Sequence, residues 1–247
     1  MVPEKTDVIV LAGGLGTRLK GTVPDLPKAL SPIRGRPFLD YVLDALEESN
    51  VVKNVVLAVG HMADQIVERY TGRDEYSFDI LFSREEILLG TGGAVKKALQ
   101  QATTDNVMVL NGDSYVDVCL GDILTFHREN QASVTVIVKK IENPSRYGLV
   151  AFDDKHVVTS FDEKQENTRE GYINTGVYIA KRGIFDRVEE ESVISLEKEL
   201  MPLFIHDGGV YAFATHGKFI DIGIPETYLV AEQFFQGAFD HKSRLAQ

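Results

Sequence analysis

The first half of the chain alternates short β-branched runs with amphipathic segments, and this alternation restricts the fold most. The apolar run Asp7–Leu11 is typical of a strand buried on both faces. In Pro37–Glu48 the apolar residues recur at helical spacing, with Pro37 at the first helical position. Further strands are predicted at Asn54–Val59, Phe78–Phe82 and Val107–Leu110, and further helices at His61–Tyr70 and Gly92–Gln101. Repeated strands and crossover helices predict an α/β fold with a doubly wound, mostly parallel sheet.

The second half of the chain contains strand-like segments separated by short polar turns, so hairpins are expected there rather than crossovers. These segments are Ser133–Lys139, Gly148–Phe152, Val157–Phe161, Tyr172–Ile179 and Val210–Ala214. Short helices are predicted near Leu120–Glu129, Ser195–Phe204 and Pro225–Gln236. Because no linker or repeat separates the halves, we predict a single Rossmann-like domain over residues 1–247. Its mixed sheet continues into an antiparallel part.

Composition excludes several classes of function. The 247 residues include 26 Lys and Arg against 37 Asp and Glu, and the net charge of −11 argues against nucleic-acid binding. No stretch approaches the roughly 18 apolar residues that span a bilayer, so no membrane association is expected. The single cysteine, Cys119, cannot form an internal disulfide and fits a reducing compartment, so we expect a cytoplasmic protein. In so acidic a chain, a site for anions must depend on a few placed cations and backbone N–H groups.

A glycine-rich segment, Leu11–Leu19, directly follows the first predicted strand. Its glycines, Gly13, Gly14 and Gly16, allow backbone N–H groups to approach an anion without obstruction by side chains. Arg18 adds a forked cation suited to phosphate oxygens. The segment is not a P-loop, because no Gly-Lys-Ser/Thr follows, and its glycine spacing differs from that of a dinucleotide-binding fingerprint. An ordinary tight turn remains the alternative interpretation.

Lys28 is a second cation close to this loop in sequence. It follows Pro24 and Pro27 and precedes an apolar segment, an arrangement that favours a held side-chain stem over a solvated one. The pattern Gly13-Gly14-Leu15-Gly16-Thr17-Arg18-Leu19 followed by Pro27-Lys28 resembles the signature of the sugar nucleotidyltransferases, or nucleoside-diphosphate-sugar pyrophosphorylases. Within that family, the chain is most similar to the D-glycero-D-manno-heptose 1-phosphate and mannose-1-phosphate guanylyltransferases.

This resemblance implies a Mg2+-dependent transferase. It would join a nucleotidyl group from a nucleoside triphosphate to a sugar 1-phosphate, release pyrophosphate and supply a sugar nucleotide for surface polysaccharide biosynthesis. The resemblance implies catalytic roles for Arg18 and Lys28, as cations on the α-phosphate and the leaving pyrophosphate. It also implies nucleotide contacts by the loop residues Leu11, Ala12, Gly13, Gly14, Gly16 and Thr17. The nucleotide-binding half would cover about residues 1–130, and the sugar-binding half about 131–247.

Two aspartates are the candidate metal ligands. Asp113 follows the predicted strand Val107–Leu110, at the edge where open α/β sheets bind ligands. Asp221 lies in the segment Phe219–Gly223, which resembles the second metal-holding segment of the family. The resemblance implies that both hold Mg2+, a cation that binds to a few carboxylates together with substrate phosphates and water. Taken singly, each aspartate also fits a turn or a cap.

The sugar side of the site is expected from three further segments. By resemblance, Glu163 accepts hydrogen bonds from sugar hydroxyls, Lys164 pairs with the sugar phosphate and Asn174 reaches a hydroxyl. Gly148, in the turn that begins at Tyr147, is the fourth sugar-side residue that the resemblance implies. A charged hairpin turn at Glu163 and Lys164 is the alternative.

The base is expected at the start of the helix after the third strand. By resemblance, Gly90, Thr91 and Gly92 contact it through main-chain groups. Glu85, or its neighbour Glu86, would accept from the adjacent N1–H and N2 amino groups of guanine. Uracil and thymine offer one imide N–H between two carbonyls, which a carboxylate repels. The sequence therefore predicts GTP, provided that one of these glutamates points inward.

Two other functions remain open. The first is a uridylyl-, thymidylyl- or cytidylyltransferase acting on a hexose 1-phosphate. The second is a non-catalytic sugar-nucleotide sensor of the same fold, although all four expected catalytic and metal-binding residues are present. The aromatic segment Tyr228–Phe239 packs either on its own core or on a second subunit, so a homodimer is one of two expectations.

Overall fold

Strands and helices alternate through the first half of the chain. The structure is a computed structural model that describes residues 5–19, 21–23, 25–163 and 169–236, with only the backbone described at Glu163. The elements of this half are β1 (Thr6–Leu11), β2 (Pro32–Ile33), β3 (Arg36–Pro37), α1 (Phe38–Ser49), β4 (Val52–Val59), α2 (Ala63–Tyr70), β5 (Asp79–Arg84), α3 (Gly90–Ala98), β6 (Asn106–Asn111), β7 (Ser114–Val116) and α4 (Leu120–Glu129). Those of the second half are β8 (Val134–Glu142), β9 (Gly148–Phe152), β10 (Val158–Glu163), β11 (Glu170–Lys181), α5 (Met201–Asp207), β12 (Val210–Thr215), β13 (Phe219–Asp221) and α6 (Pro225–Phe234). Short 3-10 helices occur at Lys28–Leu30 and Arg182–Arg187, and a π-helical turn occurs at Leu196–Leu200.

One nine-stranded sheet runs through both halves of the described chain. Its main path is β10-β9-β11-β6-β1-β4-β5, with β8 paired to β11 and β12 paired to β8. Strands β6, β1, β4 and β5 are parallel, whereas β11 is antiparallel to β6 and to β8. The predicted fold class, a doubly wound α/β sheet with an antiparallel part, is therefore confirmed.

Two details differ from the prediction. Strand β12 pairs in parallel with β8 rather than in a hairpin. Strand β11 is antiparallel to β8 and ends beside Val134, and β12 starts beside the same residue, so β12 runs in the direction of β8 on its other side. Pro37 ends β3 and immediately precedes α1, so the helix begins at Phe38, one position after the predicted first helical residue. Such shifts of one residue are common at helix ends.

The sheet separates two hydrophobic cores. Along β1, Val8 and Val10 pack into one core and Ile9 into the other, because successive side chains of a strand point to opposite faces. The first core also contains residues of α1, α2 and α4, and the second contains residues of α3 and α5. Burial on both faces accounts for the continuously apolar run in β1. Among the described residues, no helix combines the length and the apolar character that a bilayer crossing requires.

The loops that follow β1 and β6 leave the sheet side by side. Leu11 pairs with Asn111 at the end of the two parallel strands, and the Gly112 N–H donates to the Leu11 carbonyl at 2.9 Å. The small antiparallel pair of β7 and β13 then places Asp221 opposite Ser114. As a result, two segments about half the chain apart in sequence meet at the carboxyl edge of the parallel strands, where ligands bind in open α/β sheets.

A buried histidine joins α4 to the sheet. His127 is 1% exposed, with Nδ1 lying 2.8 Å from the Thr135 hydroxyl and Nε2 lying 3.3 Å from the Asn106 side-chain oxygen. Burial, followed by the nearby positive charges of Lys181 and Arg128, lowers the pKa of His127 to about 4. The folded protein therefore holds this imidazole neutral in a pH range where an exposed histidine is protonated.

We expect His127 to weaken the fold as the pH falls below its unfolded-state pKa. Between pH 6.5 and 4 the unfolded chain takes up a proton that the folded chain excludes, so stability decreases with falling pH. Linkage gives a loss of about 2 kcal/mol at pH 5 relative to neutral pH, and none above the unfolded-state pKa. Urea unfolding of wild type and His127→Gln at pH 7 and pH 5 measures this loss, since glutamine does not titrate. An equal pH dependence in both proteins would contradict the assignment.

Candidate active site

The glycine-rich loop is held tightly at its base. A Cβ atom on Gly13 would lie 2.7 Å from Glu85 Oε1 and 2.9 Å from the Gly60 nitrogen, so only glycine fits there. The Ala12 N–H donates to the Ala58 carbonyl at 2.8 Å, and the His61 N–H donates to the Gly13 carbonyl at 3.1 Å. These contacts fix the loop against the end of β4 and leave its outer turn beside a cavity.

This first cavity has a volume of about 380 Å³ and opens at the ends of β1 and β6. Seven of the ten predicted nucleotide-binding residues line it, namely Leu11, Ala12, Gly13, Gly14, Glu85, Gly90 and Thr91. Gly16 and Thr17 do not line it, because the loop turns at Gly16, whose carbonyl accepts from the Leu19 N–H at 3.0 Å. After this turn Arg18 reaches the wall of a second cavity rather than the first.

Gly92 also lies off the wall of the first cavity, contrary to its predicted contact with the base. Its N–H donates to the Ile194 carbonyl at 2.9 Å, and a Cβ on Gly92 would lie 2.7 Å from the Leu200 side chain. The Thr91 hydroxyl likewise points into the protein, where it donates to Glu197 Oε2 at 2.6 Å. The glycines of this segment therefore allow α3 to pack against the residues before α5.

Glu85 is the inward-pointing member of the predicted glutamate pair, and Glu86 is exposed. The Glu85 side chain is 8% accessible as part of the wall of the first cavity, and its Oε2 accepts from the Leu89 N–H at 2.8 Å. Burial raises the pKa of Glu85, an effect opposed by this hydrogen bond and by Lys97. A largely buried carboxylate of this kind gains from further N–H donors supplied by a ligand.

The second cavity adjoins the first and has a volume of about 460 Å³. Lys28, Asn111 and Asp113 line both cavities, so these three residues form a shared wall. In an acidic protein, the second cavity is nevertheless lined by three cations: Arg18, Lys28 and Arg146. Such a concentration of positive charge suits a phosphate-bearing ligand.

The two candidate metal ligands face this second cavity. Asp113 forms an ion pair with the Lys28 ammonium and accepts from the Ser114 hydroxyl at 3.1 Å. Asp221 accepts from the Gly223 N–H at 2.8 Å and from the Tyr147 hydroxyl. The Ile222 N–H donates to the Asp113 carbonyl at 2.9 Å, which ties the two aspartate segments together.

The donor set is compatible with Mg2+. Within the described ranges, no group of three or more His, Cys, Asp and Glu side chains forms an all-protein metal site. Two carboxylates beside a cavity that is also lined by cations nevertheless match a cation that keeps several waters and binds substrate phosphates. Asp113 and Asp221 are thus the residues that fit the ion, and cations of the same chain contact both carboxylates.

Arg146 and Tyr147 are functional candidates that the sequence argument missed. Arg146 Nη2 lies 3.3 Å from Asp221 Oδ1, and Arg146 Cζ lies 5.3 Å from the centroid of the Tyr147 ring. Hydrogen bonding to Asp221 and burial raise the pKa of the Tyr147 hydroxyl, with burial the larger cause. The signal in the sequence was their position directly before Gly148.

The predicted sugar-side residues are only partly brought together. Asn174 lines the second cavity, as expected. Gly148 does not line it: the residue pairs with Glu163 across the β9–β10 hairpin, and a Cβ there would lie 3.4 Å from the Phe161 ring. For Glu163 the structure describes only this backbone pairing, and Lys164 lies outside the described residues.

A bulge in β11 shapes the shared wall. The register of β11 against β8 shifts between Asn174 and Tyr178, and Gly176 within the shift has a φ of 78°, which favours glycine. A Cβ on Gly176 would collide with the side chain of Asn111, which lines both cavities. The bulge therefore lets β11 approach β6 closely and directs Asn174 into the second cavity.

Comparison with known proteins assigns the chain to a family. The sequence model described as "Nucleotidyl transferase" matches residues 7–237. The chain belongs to the nucleotidyl transferase family. The match covers both cavities and confirms the resemblance that the glycine loop and Lys28 suggested.

Relatives of this nucleotidyl transferase include two D-glycero-alpha-D-manno-heptose 1-phosphate guanylyltransferases. The protein from Aneurinibacillus thermoaerophilus is 36% identical over 93% of this chain and 98% of its own length. The protein from Campylobacter jejuni is 35% identical over 89% of this chain and 96% of its own length. A crystal structure of HddC from Yersinia pseudotuberculosis complexed with GMP-PN has a TM-score of 0.83 and 33% identity, covering 93% of this chain and 99% of HddC.

Proposed function

We propose that this protein is a sugar-1-phosphate guanylyltransferase that transfers GMP from GTP to a sugar 1-phosphate and releases pyrophosphate. The observation that carries the proposal is the shared wall of Lys28, Asn111 and Asp113 between two adjoining cavities. A nucleotide in the first cavity and a sugar phosphate in the second would bring their phosphates to this wall. The names of the relatives support guanine and a manno-configured heptose as the ligands.

The proposed reaction is an in-line displacement at phosphorus. A phosphate oxygen of the sugar 1-phosphate forms a bond to the α-phosphorus, and the bond from that phosphorus to the bridging oxygen of the β-phosphate breaks. The nucleophilic oxygen is already ionised at pH 7, so the site does not need a general base. Positioning and charge neutralisation supply most of the rate in such reactions.

The cations of the second cavity serve this chemistry. Lys28, on the shared wall, neutralises charge at the reacting phosphorus, while Arg18 and Arg146 hold phosphate groups within the second cavity. Asp113 and Asp221 would hold Mg2+, which when bound contributes further neutralisation of phosphate charge. Each carboxylate would exchange a contact with a protein cation for one with the metal.

Glu85 is the proposed reader of the base. Its Oε2 is held by the Leu89 N–H, and its Oε1 lies beside Gly13 at the wall of the first cavity. The neighbouring N1–H and N2 amino groups of guanine both donate, so a fixed carboxylate accepts from the pair. Adenine presents an acceptor at N1, and cytosine, uracil and thymine lack this pair of donors.

Pyrophosphate release with Mg2+ tests the proposal directly. We expect turnover with GTP and heptose 1-phosphate, less with mannose 1-phosphate, and little with ATP, CTP, UTP or dTTP. Glu85→Gln should lower kcat/KM for GTP by about 10- to 100-fold, because a hydrogen bond to a charged group contributes about 1.5–3 kcal/mol.

Glu86→Gln is the matched control, since Glu86 is exposed and adjacent in sequence. It should retain wild-type turnover. Faster release with UTP or CTP than with GTP would contradict the base assignment while leaving the reaction class intact. Nucleotide binding without turnover across the whole panel of sugars would instead favour a sensor.

A further inference from the structure

A chain of hydrogen bonds connects the two cavities through the interior of the protein. It begins at Thr91, on the wall of the first cavity, whose hydroxyl donates to Glu197 Oε2 at 2.6 Å. The Tyr178 hydroxyl donates to Glu197 Oε1 at 3.2 Å and accepts from the Asn174 amide at 2.5 Å. Asn174 in turn lines the second cavity. Four side chains thus link the nucleotide side to the sugar side without passing through either cavity.

The direction of each hydrogen bond in this chain is fixed by its neighbours. The Gly176 N–H donates to Asn174 Oδ1 at 3.0 Å, so the Asn174 amide nitrogen must face Tyr178. The Leu196 N–H donates to the Thr91 hydroxyl oxygen at 2.8 Å, which leaves the Thr91 proton for Glu197. Every bond therefore points toward the Glu197 carboxylate.

Glu197 is the common acceptor of this hydrogen-bond chain. Its Oε2 also accepts from the Ser195 hydroxyl at 3.2 Å, so three hydroxyl groups donate to one carboxylate. A glutamine at this position has the same shape but only one acceptor atom. One of the three donors would then face an NH2 group and lose its partner.

The middle of this hydrogen-bond chain is buried and tied to the surrounding fold. Tyr178 is 1% exposed, and burial with the nearby Glu197 raises the pKa of its hydroxyl far above the ordinary value. The segment carrying Glu197 is fixed to α3, since the Ile194 N–H donates to the Leu89 carbonyl at 2.8 Å and the Ile194 carbonyl accepts from Gly92. The π-helical turn Leu196–Leu200 presents Glu197, and such turns are frequent at functional sites.

We propose that Glu197 is a positioning residue that couples the two cavities, so that a guanine nucleotide in the first strengthens sugar-phosphate binding in the second. Hydrogen bonds in a chain polarise one another, and a ligand that orders one end lowers the entropic cost of ordering the other. Linkage requires the reciprocal effect on nucleotide binding. The inference rests on the proposed function, because it assigns the nucleotide and the sugar phosphate to those cavities.

The test measures binding rather than turnover. Calorimetry gives the Kd of the sugar 1-phosphate with Mg2+, in the absence and presence of a saturating GTP analogue with a methylene group between the α- and β-phosphorus. We expect the analogue to tighten sugar-phosphate binding by about 5- to 20-fold in the wild type, within the usual range for coupled sites. In Glu197→Gln and in Tyr178→Phe the factor should fall below about 2-fold, while each ligand alone keeps its Kd within about 3-fold.

Glu199→Gln is the matched control. Glu199 is exposed on the same π-helical turn, and its Oε2 accepts from the Ser195 N–H at 2.8 Å rather than from a member of the hydrogen-bond chain, so the variant should keep the wild-type coupling factor. Thermal unfolding confirms that all three variants are folded. The inference would be overturned if the wild type showed no coupling, or if the coupling survived in both Glu197→Gln and Tyr178→Phe. Either result would leave the proposed function standing. Failure of the GTP analogue to bind the wild type would overturn both.

Discussion

Replacement of Asp113 by asparagine is expected to lower kcat by about 10³-fold, since a metal ion contributes several kcal/mol of charge stabilisation in such a transition state. The amide keeps the shape of the side chain but removes the charge that pairs with Lys28 and that would hold Mg2+. The same variant should bind Mn2+ more weakly than the wild type in the absence of nucleotide. Steady-state pyrophosphate release gives kcat, and paramagnetic resonance of bound Mn2+ gives the metal affinity.

Asp122→Asn is the control for this substitution. Asp122 is an exposed carboxylate in the first turn of α4, in the same half of the chain, and it lines neither cavity. It should leave kcat and Mn2+ affinity unchanged. Normal turnover in Asp113→Asn would remove Asp113 from the mechanism, and unchanged Mn2+ affinity would remove it from the metal site.

Replacement of Lys28 by methionine should lower kcat by about 10²- to 10³-fold, the range observed when one preorganised donor is removed from a site of developing charge. Its effect on the metal has the opposite sign to that of Asp113→Asn. The Lys28 ammonium contacts the Asp113 carboxylate, so its removal frees that carboxylate and should strengthen Mn2+ binding in the absence of nucleotide. The two assays are the same as for Asp113→Asn.

The opposite changes in Mn2+ affinity expected for Asp113→Asn and Lys28→Met distinguish a specific effect on the site from a general loss of structure. A site that merely collapsed would lose activity and metal affinity together in both variants. Lys53→Met serves as the control, because Lys53 is exposed on β4 and its side chain bonds to Thr103. Weaker Mn2+ binding in Lys28→Met would show that the ammonium does not compete with the metal.

Local patterns were sufficient for much of the fold and part of the site. The apolar run of β1, the glycine loop behind it and the aspartate after β6 are each short segments whose chemistry and position can be recognised in isolation. They were placed correctly at the carboxyl edge of the sheet. Glu85 was one of two neighbouring candidates, and only burial distinguished it from Glu86.

The remaining features depend on contacts between distant segments. Arg146 reaches Asp221 across 75 positions, and Thr91 reaches Glu197 across 106, so no local pattern predicts either pair. Gly92 is a related case. The glycine-rich segment around it fits a ligand-binding turn, but the Gly92 N–H donates to the carbonyl of Ile194, which is distant in sequence. Glycine that permits close packing and glycine that exposes the backbone to a ligand look alike in sequence.

The shared wall of the two cavities has a consequence for ligand design. A compound that joins a guanosine group to a sugar through a phosphate bridge would occupy both chambers at once. Tethering makes the second contact intramolecular, at an effective concentration set by the linker, so its affinity can exceed that of either half by orders of magnitude. The reaction product has this same bridged form. The enzyme must therefore release a molecule whose guanosine and sugar groups are bound in the two cavities at the same time.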